Sequence, residues 1–381
     1  MPKSWLNPAN KPKNLYIHIP FCAGKCHYCN FISFSGKNEF IASYFAALKA
    51  EMKFCLGRQG AIGLETIYIG GGTPSVVDTR FYKDIFGLLS ELTCISLDAE
   101  ITMEINPGTV NINYLKEIRD IGINRLSIGV QSFDDKILKS INRIHSSQEA
   151  IETVKTAKKA GFANISIDLI YGLPEQTIEG WETTLNKALS LGINHISTYG
   201  LKIEEGTEFS RHLPKNLPDD EVQSQIYLKT IDILENNGFN HYEISNFSKK
   251  GFESRHNLCY WKNKKYFALG LSAHGYLDDT RYSNTENLEE YLKDPTKSAF
   301  ENQISAPEKI EEAVFLGLRL TEGINTKEFK LNYGIDIYQK YSKIIEKYID
   351  YGFMTYDSSK NLKLTKHGIL LSNSILADFL A

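Results

Sequence analysis

The sequence predicts an α/β protein: an open, partial (βα)6 barrel followed by a small, mainly helical carboxyl-terminal domain. Short apolar, β-branched segments alternate six times with longer segments of helical periodicity, which is typical of parallel strands joined by right-handed crossovers. At 381 residues the chain is too long for one ordinary core. The pattern changes after Ser305, where helical segments are followed by two strand-like ones. Six units are too few for a closed eight-stranded barrel, so we expect an open one.

The elements of the predicted barrel follow one another in strict alternation. The strands are expected at Leu15–Pro20, Thr66–Gly70, Ile101–Asn106, Arg125–Val130, Ile165–Tyr171 and His195–Leu201. The helices are expected at Glu39–Phe54, Thr79–Leu92, Asn113–Ile121, Ser147–Ala160, Ile178–Leu191 and Asp219–Asn237. Because ligand sites of such folds lie at the carboxyl ends of the strands, we expect the functional residues in the loops that follow them.

The carboxyl-terminal part has the element order of a winged-helix domain. Its predicted helices are Glu308–Leu320, Thr326–Leu331, Ile337–Tyr351 and Lys366–Phe379, with strands at Gly352–Tyr356 and Leu362–Thr365 around a polar turn. From Ser305 onward, ten Lys and Arg face ten Asp and Glu without a basic stripe, which argues against DNA binding. We instead expect a surface for protein or membrane-associated partners, or a lid over the barrel mouth.

These patterns predict four segments. They are an amino-terminal segment (1–13), the barrel and its extension (14–277), a linker region (278–304) and the winged-helix-like domain (305–381).

Composition and charge favour a cytoplasmic protein. The 42% hydrophobic and 23% charged residues are typical of globular proteins, and a net charge of −3 gives no reason to expect a nucleic-acid partner. The first residues lack the apolar run of a signal peptide, and no stretch approaches about 18 consecutive apolar residues, so we expect at most peripheral membrane contact. Six cysteines, three of them in one loop, do not resemble a secreted disulfide framework.

Three cysteines lie close together in the loop after the first predicted strand. Cys22, Cys26 and Cys29 form a C-x3-C-x2-C pattern, which can hold an iron–sulfur cluster by three thiolates and leave one iron open for a small molecule. The alternative is a zinc site with His18 or His27 as the fourth ligand, although this spacing is not a common zinc pattern. The scattered Cys55, Cys94 and Cys259 are expected to be buried or free thiols.

Polar residues also follow the other predicted strands. The run Gly70-Gly71-Gly72-Thr73-Pro74 could offer backbone N–H groups to a carboxylate, or could be a tight strand–helix turn. Glu104 and Asp168 lie within apolar strands and need partners, for which Arg143 is one candidate. Either acid could be purely structural, but polar groups at successive strand ends favour a ligand site.

Five motifs in this order resemble the radical S-adenosylmethionine (SAM) proteins grouped with oxygen-independent coproporphyrinogen III oxidase: HIPFCAGKCHYC, GGGTPS, EINPGTV, NRLSIGVQSF and DLIYGLP. The resemblance extends from about Asn14 to at least Gly275. It implies that Cys22, Cys26 and Cys29 hold a [4Fe–4S] cluster. It also implies SAM-binding roles for Tyr16, Gly71, Gly72, Thr73, Glu104, Gln131, Arg143 and Asp168. In this scheme the glycine backbone binds the methionyl carboxylate, Glu104 the ammonium and Asp168 the ribose hydroxyls.

Two departures set the chain apart from the oxidases of this group. In those enzymes a further cysteine follows the third cluster cysteine after one residue, and here that position is Phe31. The oxidases also have a longer segment before the cluster loop, whereas 21 residues precede Cys22 here.

Another motif points to a related family. His256-Asn257-Leu258-Cys259-Tyr260-Trp261 resembles the H-N-x-x-Y-W sequence of the HemW heme chaperones, as do Tyr242–Phe247 and Leu269–Tyr276. That resemblance implies a protein of porphyrin metabolism that binds heme as cargo and delivers it to apo-hemoproteins, notably of the respiratory chain.

The chemistry of the residues allows this role without requiring it. His256 can ligate heme iron, Cys259 is a further axial candidate, and Tyr260 and Trp261 could cover a porphyrin face. The alternative is a turn whose aromatic residues belong to the core. We assign no catalytic residue. Two other functions stay open: decarboxylation of coproporphyrinogen III through a 5′-deoxyadenosyl radical, and radical-SAM chemistry on an unrelated substrate.

Overall fold

The computed structural model describes residues 11–57 and 62–380. Its strands are β1 Asn14–Ile19, β2 Phe21–Cys22, β3 Phe34–Ser35, β4 Gly63–Gly71, β5 Cys94–Ile105, β6 Arg125–Gln131, β7 Asn164–Tyr171, β8 His195–Gly200, β9 Asn240–Glu243, β10 Asn246–Ser248, β11 Phe267–Leu269, β12 His274–Leu277, β13 Thr280–Asn284, β14 Ser298–Gln303, β15 Ile324–Asn325, β16 Met354–Tyr356 and β17 Asn361–Leu364.

The helices lie between these strands in the order that a barrel requires. They are α1 Ile41–Leu56, α2 Thr79–Leu92, α3 Ile112–Ile121, α4 Asp135–Ser140, α5 Ser147–Lys159, α6 Ile178–Ser190, α7 Glu208–Arg211, α8 Asp220–Asn236, α9 Arg255–Trp261, α10 Leu288–Lys293, α11 Ala306–Gly317, α12 Thr326–Tyr333, α13 Ile337–Asp350, α14 Lys366–Leu370 and α15 Ser372–Ala377. None of the helices in the described ranges combines the length and apolar character needed to cross a membrane.

The first of two compact units comprises Met1–Ile226 and Lys265–Gln303 and contains the barrel. Strands β11, β1, β4, β5, β6, β7 and β8 lie side by side in this order, and each neighbouring pair is parallel. All six predicted barrel strands are present, and helix α2 has the predicted bounds. The prediction of an open, partial barrel of parallel strands is therefore confirmed.

The two faces of the barrel sheet differ in chemistry. Because side chains alternate along a strand, one face carries apolar residues such as Ile67, Ile128 and Ile167, which are fully buried. The other face carries polar residues brought side by side by the register, with Glu104 opposite Ser127 and Asp168 opposite Ser197. The barrel thus presents a polar inner face at the level of the predicted site.

The expectation of a linker at residues 278–304 is wrong, because this segment forms regular secondary structure. Strands β12, β13 and β14 form an antiparallel sheet, and α10 lies between the last two. The segment is tied to α1 through the buried Glu51, whose carboxylate accepts hydrogen bonds from Asn284 Nδ2 (2.7 Å), Gly270 N (2.8 Å) and Tyr291 Oη (2.7 Å). Three donors offset the cost of burying this carboxylate, so the segment packs in spite of its polar composition.

The second unit comprises Tyr227–Lys264 and Ile304–Ala381. Helices α11 to α13 and the antiparallel sheet β15–β17–β16 give the predicted winged-helix-like order. The predicted closing helix is interrupted at Leu371, which separates α14 from α15. Residues 227–264, which we assigned to the barrel, belong to this unit, because Glu243 bridges to Leu320 and Ile244 N donates to Arg319 O at 3.2 Å.

Candidate functional site

The cysteine loop lies at the carboxyl end of β1. Cys22 ends β2, Cys26 and Cys29 follow in the loop, and all three are half-buried free thiols. The loop is anchored through His27, whose backbone N–H donates to Ile141 O (3.2 Å) and whose carbonyl accepts from Phe209 N (3.0 Å). Contacts to residues far along the chain therefore fix the positions of the thiols.

A chain of hydrogen bonds joins two of the three sulfurs. Thr73 Oγ1 donates to Cys22 Sγ at 3.4 Å and accepts from Asn106 Nδ2 at 2.9 Å. Asn106 Oδ1 accepts from Arg143 Nη2 at 2.8 Å, and Arg143 Nη1 donates to Cys26 Sγ at 3.4 Å. The predicted residues Thr73 and Arg143 are thus brought to the cysteine loop. Asn106 was missed as a site residue, although it stands at the end of the EIN motif.

Arg143 makes this arrangement suitable for an anionic cluster. Its guanidinium also donates to Gly129 O, while its Nε is buried and has no hydrogen-bond partner among residues 11–57 and 62–380. A cation and a hydroxyl directed at thiolate sulfurs are the type of surrounding contact that stabilises and tunes an iron–sulfur cluster. Burial raises the pKa of the Cys29 thiol, and the charge of the nearby Lys25 opposes that shift. These residues fit a cluster held by three cysteines.

The zinc alternative with His18 does not fit the geometry. His18 is buried, its Nε2 pairs with Ile32 O (2.9 Å) and its Nδ1 with Tyr16 Oη (3.0 Å), so both ring nitrogens are engaged. Burial lowers the pKa of His18 to about 4, which keeps the ring neutral at pH 7. Within residues 11–57 and 62–380, no group of three or more His, Cys, Asp or Glu side chains is arranged around a single metal ion. In a cubane each thiolate binds a different iron, so convergence on one point is not required.

The backbone amides after β4 are used within the protein. Gly71 N donates to Glu104 Oε2 (3.0 Å), Gly72 N to Ile19 O (2.9 Å) and Thr73 N to Phe21 O (2.7 Å). Binding of the methionyl carboxylate by these N–H groups therefore stays a prediction, and in this structure the three amides have partners within the protein. The run instead holds β4 against the start of the cysteine loop.

Gly72 illustrates this structural role. A Cβ at Gly72 would lie 2.7 Å from Phe21 O and 2.9 Å from Ile19 O, so it would meet the chain itself and not an open ligand space. A SAM-binding role of Gly72, which the sequence resemblance implies, predicts that Gly72→Val weakens SAM binding and leaves the iron content normal.

The structure changes that prediction. Gly72→Val should displace the backbone next to Cys22 and lower both the iron content and SAM binding of reconstituted protein. Iron analysis with calorimetry checks this, and Gly87→Val is the control, because at this helix position an added Cβ has no atom within 4 Å apart from its chain neighbours and the backbone of its own helix. Normal iron with lost SAM binding would restore the original expectation.

Glu104 lies on the polar inner face of the barrel. Its carboxylate accepts from Tyr68 Oη (2.9 Å) and from Gly71 N (3.0 Å), and Arg143, proposed from sequence as a partner, bonds elsewhere. Burial raises the pKa of Glu104 to about 7, a shift that these two hydrogen bonds oppose. The ammonium of a ligand next to this carboxyl would stabilise its ionised form, the carboxylate. Glu104 is therefore suited to binding an ammonium group.

This pKa predicts how SAM binding depends on pH. Because an ammonium favours the ionised carboxylate, SAM affinity should rise as pH increases through about 7 and level off above it. Calorimetry in two buffers of different ionisation enthalpy would count the protons released at pH 7. Glu104→Gln should weaken binding and lower that count; an unchanged count would remove Glu104 from the ligand site.

Asp168 is surrounded by hydroxyl groups. Ser127 Oγ lies 3.1 and 2.9 Å from its two oxygens, and Ser166 Oγ lies 3.4 Å from one of them. Burial raises the pKa of Asp168, and the serine hydroxyls together with the charge of Arg125 oppose the shift. Arg125, buried and missed from sequence, thus takes the electrostatic role that we gave to Arg143. These contacts favour the structural alternative for Asp168.

The other two residues implied by the resemblance, Tyr16 and Gln131, lie on strands β1 and β6 of the barrel sheet. Tyr16 stacks on Tyr68, with ring centroids 6.2 Å apart. Gln131 ends β6 with a φ of 68°, and its Nε2 lies beside Gly129. The sequence-predicted SAM residues are therefore grouped at the carboxyl edge of the barrel.

His256 lies in the second unit, within helix α9. Its side chain is 1% exposed, and its Nε2 pairs with Tyr260 Oη at 2.7 Å. Trp261 lies against Arg319, whose guanidinium is 5.6 Å from the ring centroid. The motif forms a helix and not a turn, and an imidazole in this position is not exposed to an external heme.

The burial of His256 predicts that His256→Ala affects stability and not heme ligation. Loss of a buried, hydrogen-bonded ring should lower the free energy of unfolding by about 1–3 kcal/mol, while the Soret spectrum of bound heme stays the same. Denaturation and heme titration check this, with Tyr260→Phe as the variant that removes the partner hydroxyl alone. A shifted Soret band at unchanged stability would support His256 as an axial ligand.

Comparison with known proteins finds two matching family models and several similar proteins. The radical SAM superfamily model matches residues 16–188, and the HemN C-terminal domain model matches residues 304–371. The chain is 36% identical over 376 residues to heme chaperone HemW of Bacillus subtilis, covering 97% of this chain and 99% of that protein. It is 34% identical to heme chaperone HemW of Escherichia coli, covering 97% and 98%.

A solved structure shares the fold. Coproporphyrinogen III oxidase (HemN) from Escherichia coli, a radical SAM enzyme, superposes with a TM-score of 0.86 at 23% identity, covering 98% of this chain and 91% of that one. At this identity the likeness shows the fold alone. Radical SAM membership implies a [4Fe–4S] cluster and SAM as cofactors. By its identity to curated relatives over nearly its whole length, the chain belongs to the HemW family of the radical SAM superfamily.

Proposed function

We propose that this protein is a heme chaperone, which binds heme as cargo and hands it to apo-hemoproteins. The observation that carries the proposal is the identity of 36% over 97% of the chain to a relative named heme chaperone HemW. A radical-SAM scaffold would supply the [4Fe–4S] cluster and the SAM site.

We propose Cys22, Cys26 and Cys29 as the cluster ligands. The hydrogen bonds from Thr73 and Arg143 to two of these sulfurs support this assignment. When bound, the cluster would offer an open iron to the amino and carboxylate groups of SAM. The protein's own part is to hold the thiolates, to balance their charge with Arg143 and to present Glu104 to the SAM ammonium.

Phe31 argues against the oxidase alternative. It occupies the position of the additional cysteine of the oxidases, and its side chain is 61% exposed beside the cysteine loop. A phenyl ring cannot replace a thiol in binding metal or in redox chemistry.

The recipients and the compartment are part of the same proposal. We propose apo-hemoproteins of the respiratory chain as recipients, following the resemblance, and the cytoplasm as the site of action, since reducing conditions protect thiolate-bound iron.

Anaerobic incubation of reconstituted protein with heme and, separately, with coproporphyrinogen III tests this function. We expect heme binding at stoichiometric levels and no decarboxylation of the porphyrinogen. Porphyrinogen turnover would place the oxidase function first, and the absence of both results would favour a radical-SAM enzyme with an unrelated substrate.

A further inference from the structure

A cavity of about 490 Å³ lies against the cysteine loop in the first unit. Its wall includes Cys26 and Cys29, and also Gly206, Thr207, Glu208 and Arg211 from the segment that contains α7. Its size lies within the range of about 300–1,000 Å³ that is usual for sites of small molecules and cofactors. None of the roles assigned above to SAM-binding residues uses this segment.

The walls of the cavity are held in place. Phe209 is buried in a cluster with Ile141 and Leu173, and its backbone N–H donates to His27 O at 3.0 Å. The segment of α7 and the cysteine loop therefore form one supported surface. A preformed site of this kind loses little free energy to ordering when a ligand binds.

The cavity is positively charged. Lys25, Lys37 and Arg211 line it, against one carboxylate, that of Glu208. Glu208 is shared, since His212 Nδ1 lies 2.8 Å from it while Arg211 Nη1 lies 4.0 Å away. Within the part of the chain that the structure describes, neither lysine has a carboxylate within 4.0 Å. A ligand with negative groups would complete this arrangement.

The three cations have different local roles. Lys25 Nζ donates to Phe31 O (2.5 Å) and Ser33 Oγ (3.0 Å), so it serves the cysteine loop. Lys37 and Arg211 are exposed at the cavity. Among the described hydrogen bonds, none joins Lys37 or Arg211 to a cysteine sulfur, whereas Arg143 donates to Cys26 Sγ. Balancing the charge of a cluster therefore does not account for these two side chains.

The cavity also has an aromatic wall. Phe34 lines it and is half-buried, so one ring lies where a flat, apolar ligand would contact it. Heme combines a flat apolar macrocycle with two propionate carboxylates. Resting on the function proposed above, we infer that this cavity binds heme, with Lys37 and Arg211 paired to the propionates and Phe34 against the macrocycle.

A comparison of the affinities for heme and for heme dimethyl ester tests this inference, because esterification removes both negative charges and keeps the macrocycle. Each is titrated anaerobically into reconstituted protein with SAM. We expect wild type to bind the ester about tenfold more weakly than heme, as for the loss of charge-assisted contacts at a partly exposed site. The double variant Lys37→Ala/Arg211→Ala should bind heme as weakly as wild type binds the ester.

Arg80→Ala/Lys83→Ala is the matched control, since it also removes one exposed arginine and one exposed lysine, which line a different groove. It should keep the preference for heme, and iron content and SAM affinity should stay normal in both double variants. Equal wild-type affinity for heme and ester, or a preference that survives in Lys37→Ala/Arg211→Ala, would overturn the inference and leave the chaperone function standing. Failure of wild type to bind either compound would instead overturn the proposed function, and this inference with it.

Discussion

Replacing Cys22, Cys26 or Cys29 singly by alanine is expected to abolish the iron–sulfur absorption of the reconstituted protein. With three thiolates on three irons, loss of one leaves a second iron without a protein ligand, and a cluster held by two cysteines should not survive desalting. Iron content should fall from about four per chain to below about one in each variant. Iron and sulfide analysis with visible absorption measures this directly.

The other cysteines provide the controls. Cys94 is exposed, Cys55 is buried in α1 and Cys259 is buried in α9, and none of them belongs to the C-x3-C-x2-C pattern, so Cys94→Ala, Cys55→Ala and Cys259→Ala should keep the cluster. Stoichiometric zinc without iron in anaerobically purified wild type would contradict the cluster assignment.

Arg143→Met is expected to have the second-largest effect. It removes the donor to Cys26 Sγ and Asn106 Oδ1 and takes a positive charge from beside the sulfurs. The midpoint potential should become more negative, by on the order of 50 mV, because the reduced cluster loses a stabilising cation. SAM affinity should fall at least about tenfold, since the chain of contacts through Asn106 is broken.

Arg119→Met is the control for Arg143→Met. Arg119, in the last turn of α3, donates to Ala160 O at 3.1 Å, and among the described residues no hydrogen bond joins it to the cysteine loop, so potential and SAM affinity should not change. Asn106→Leu should reproduce the loss of SAM affinity with a smaller change in potential, because it removes hydrogen bonds and no charge. An Arg143→Met protein with normal potential and normal SAM binding would show that the hydrogen-bond chain has no functional role.

The regular part of the fold was predictable from local pattern. In strands such as β6, apolar and polar residues alternate along the sequence. Helix α2 begins after a capping residue, Asp78, whose side chain accepts a hydrogen bond from Arg80 N. Short elements were missed, including α4, whose six residues are too few to show helical periodicity although Asp134 caps it. The sheet β12–β14 was missed because its polar Asn284 is satisfied by Glu51, 233 residues away, which no local window contains.

The residues of the site were predicted better than their contacts. The strand ends located the cysteine loop, Glu104 and Arg143, since parallel strands bring their carboxyl ends to one edge. The hydrogen-bond partners of Arg143 were not predictable. Arg143 contacts Asn106 and Cys26 from a loop, and the conformation of that loop cannot be inferred from the spacing of residues in the sequence. Arg125 could have been found, since it has the same strand parity as Ser127 and faces Asp168 from the neighbouring strand. The burial of His256 could not be predicted from its motif, because it depends on tertiary packing.

Transfer of heme to an acceptor tests the central claim most directly. Heme-loaded protein is mixed with increasing concentrations of an apo-hemoprotein of the respiratory chain, and the rate of the acceptor's Soret change is followed by stopped flow. A chaperone that hands over its cargo by contact predicts a transfer rate that rises with acceptor concentration before saturating. A rate that equals spontaneous heme dissociation and does not depend on acceptor concentration would contradict delivery and reduce the protein to a passive heme binder.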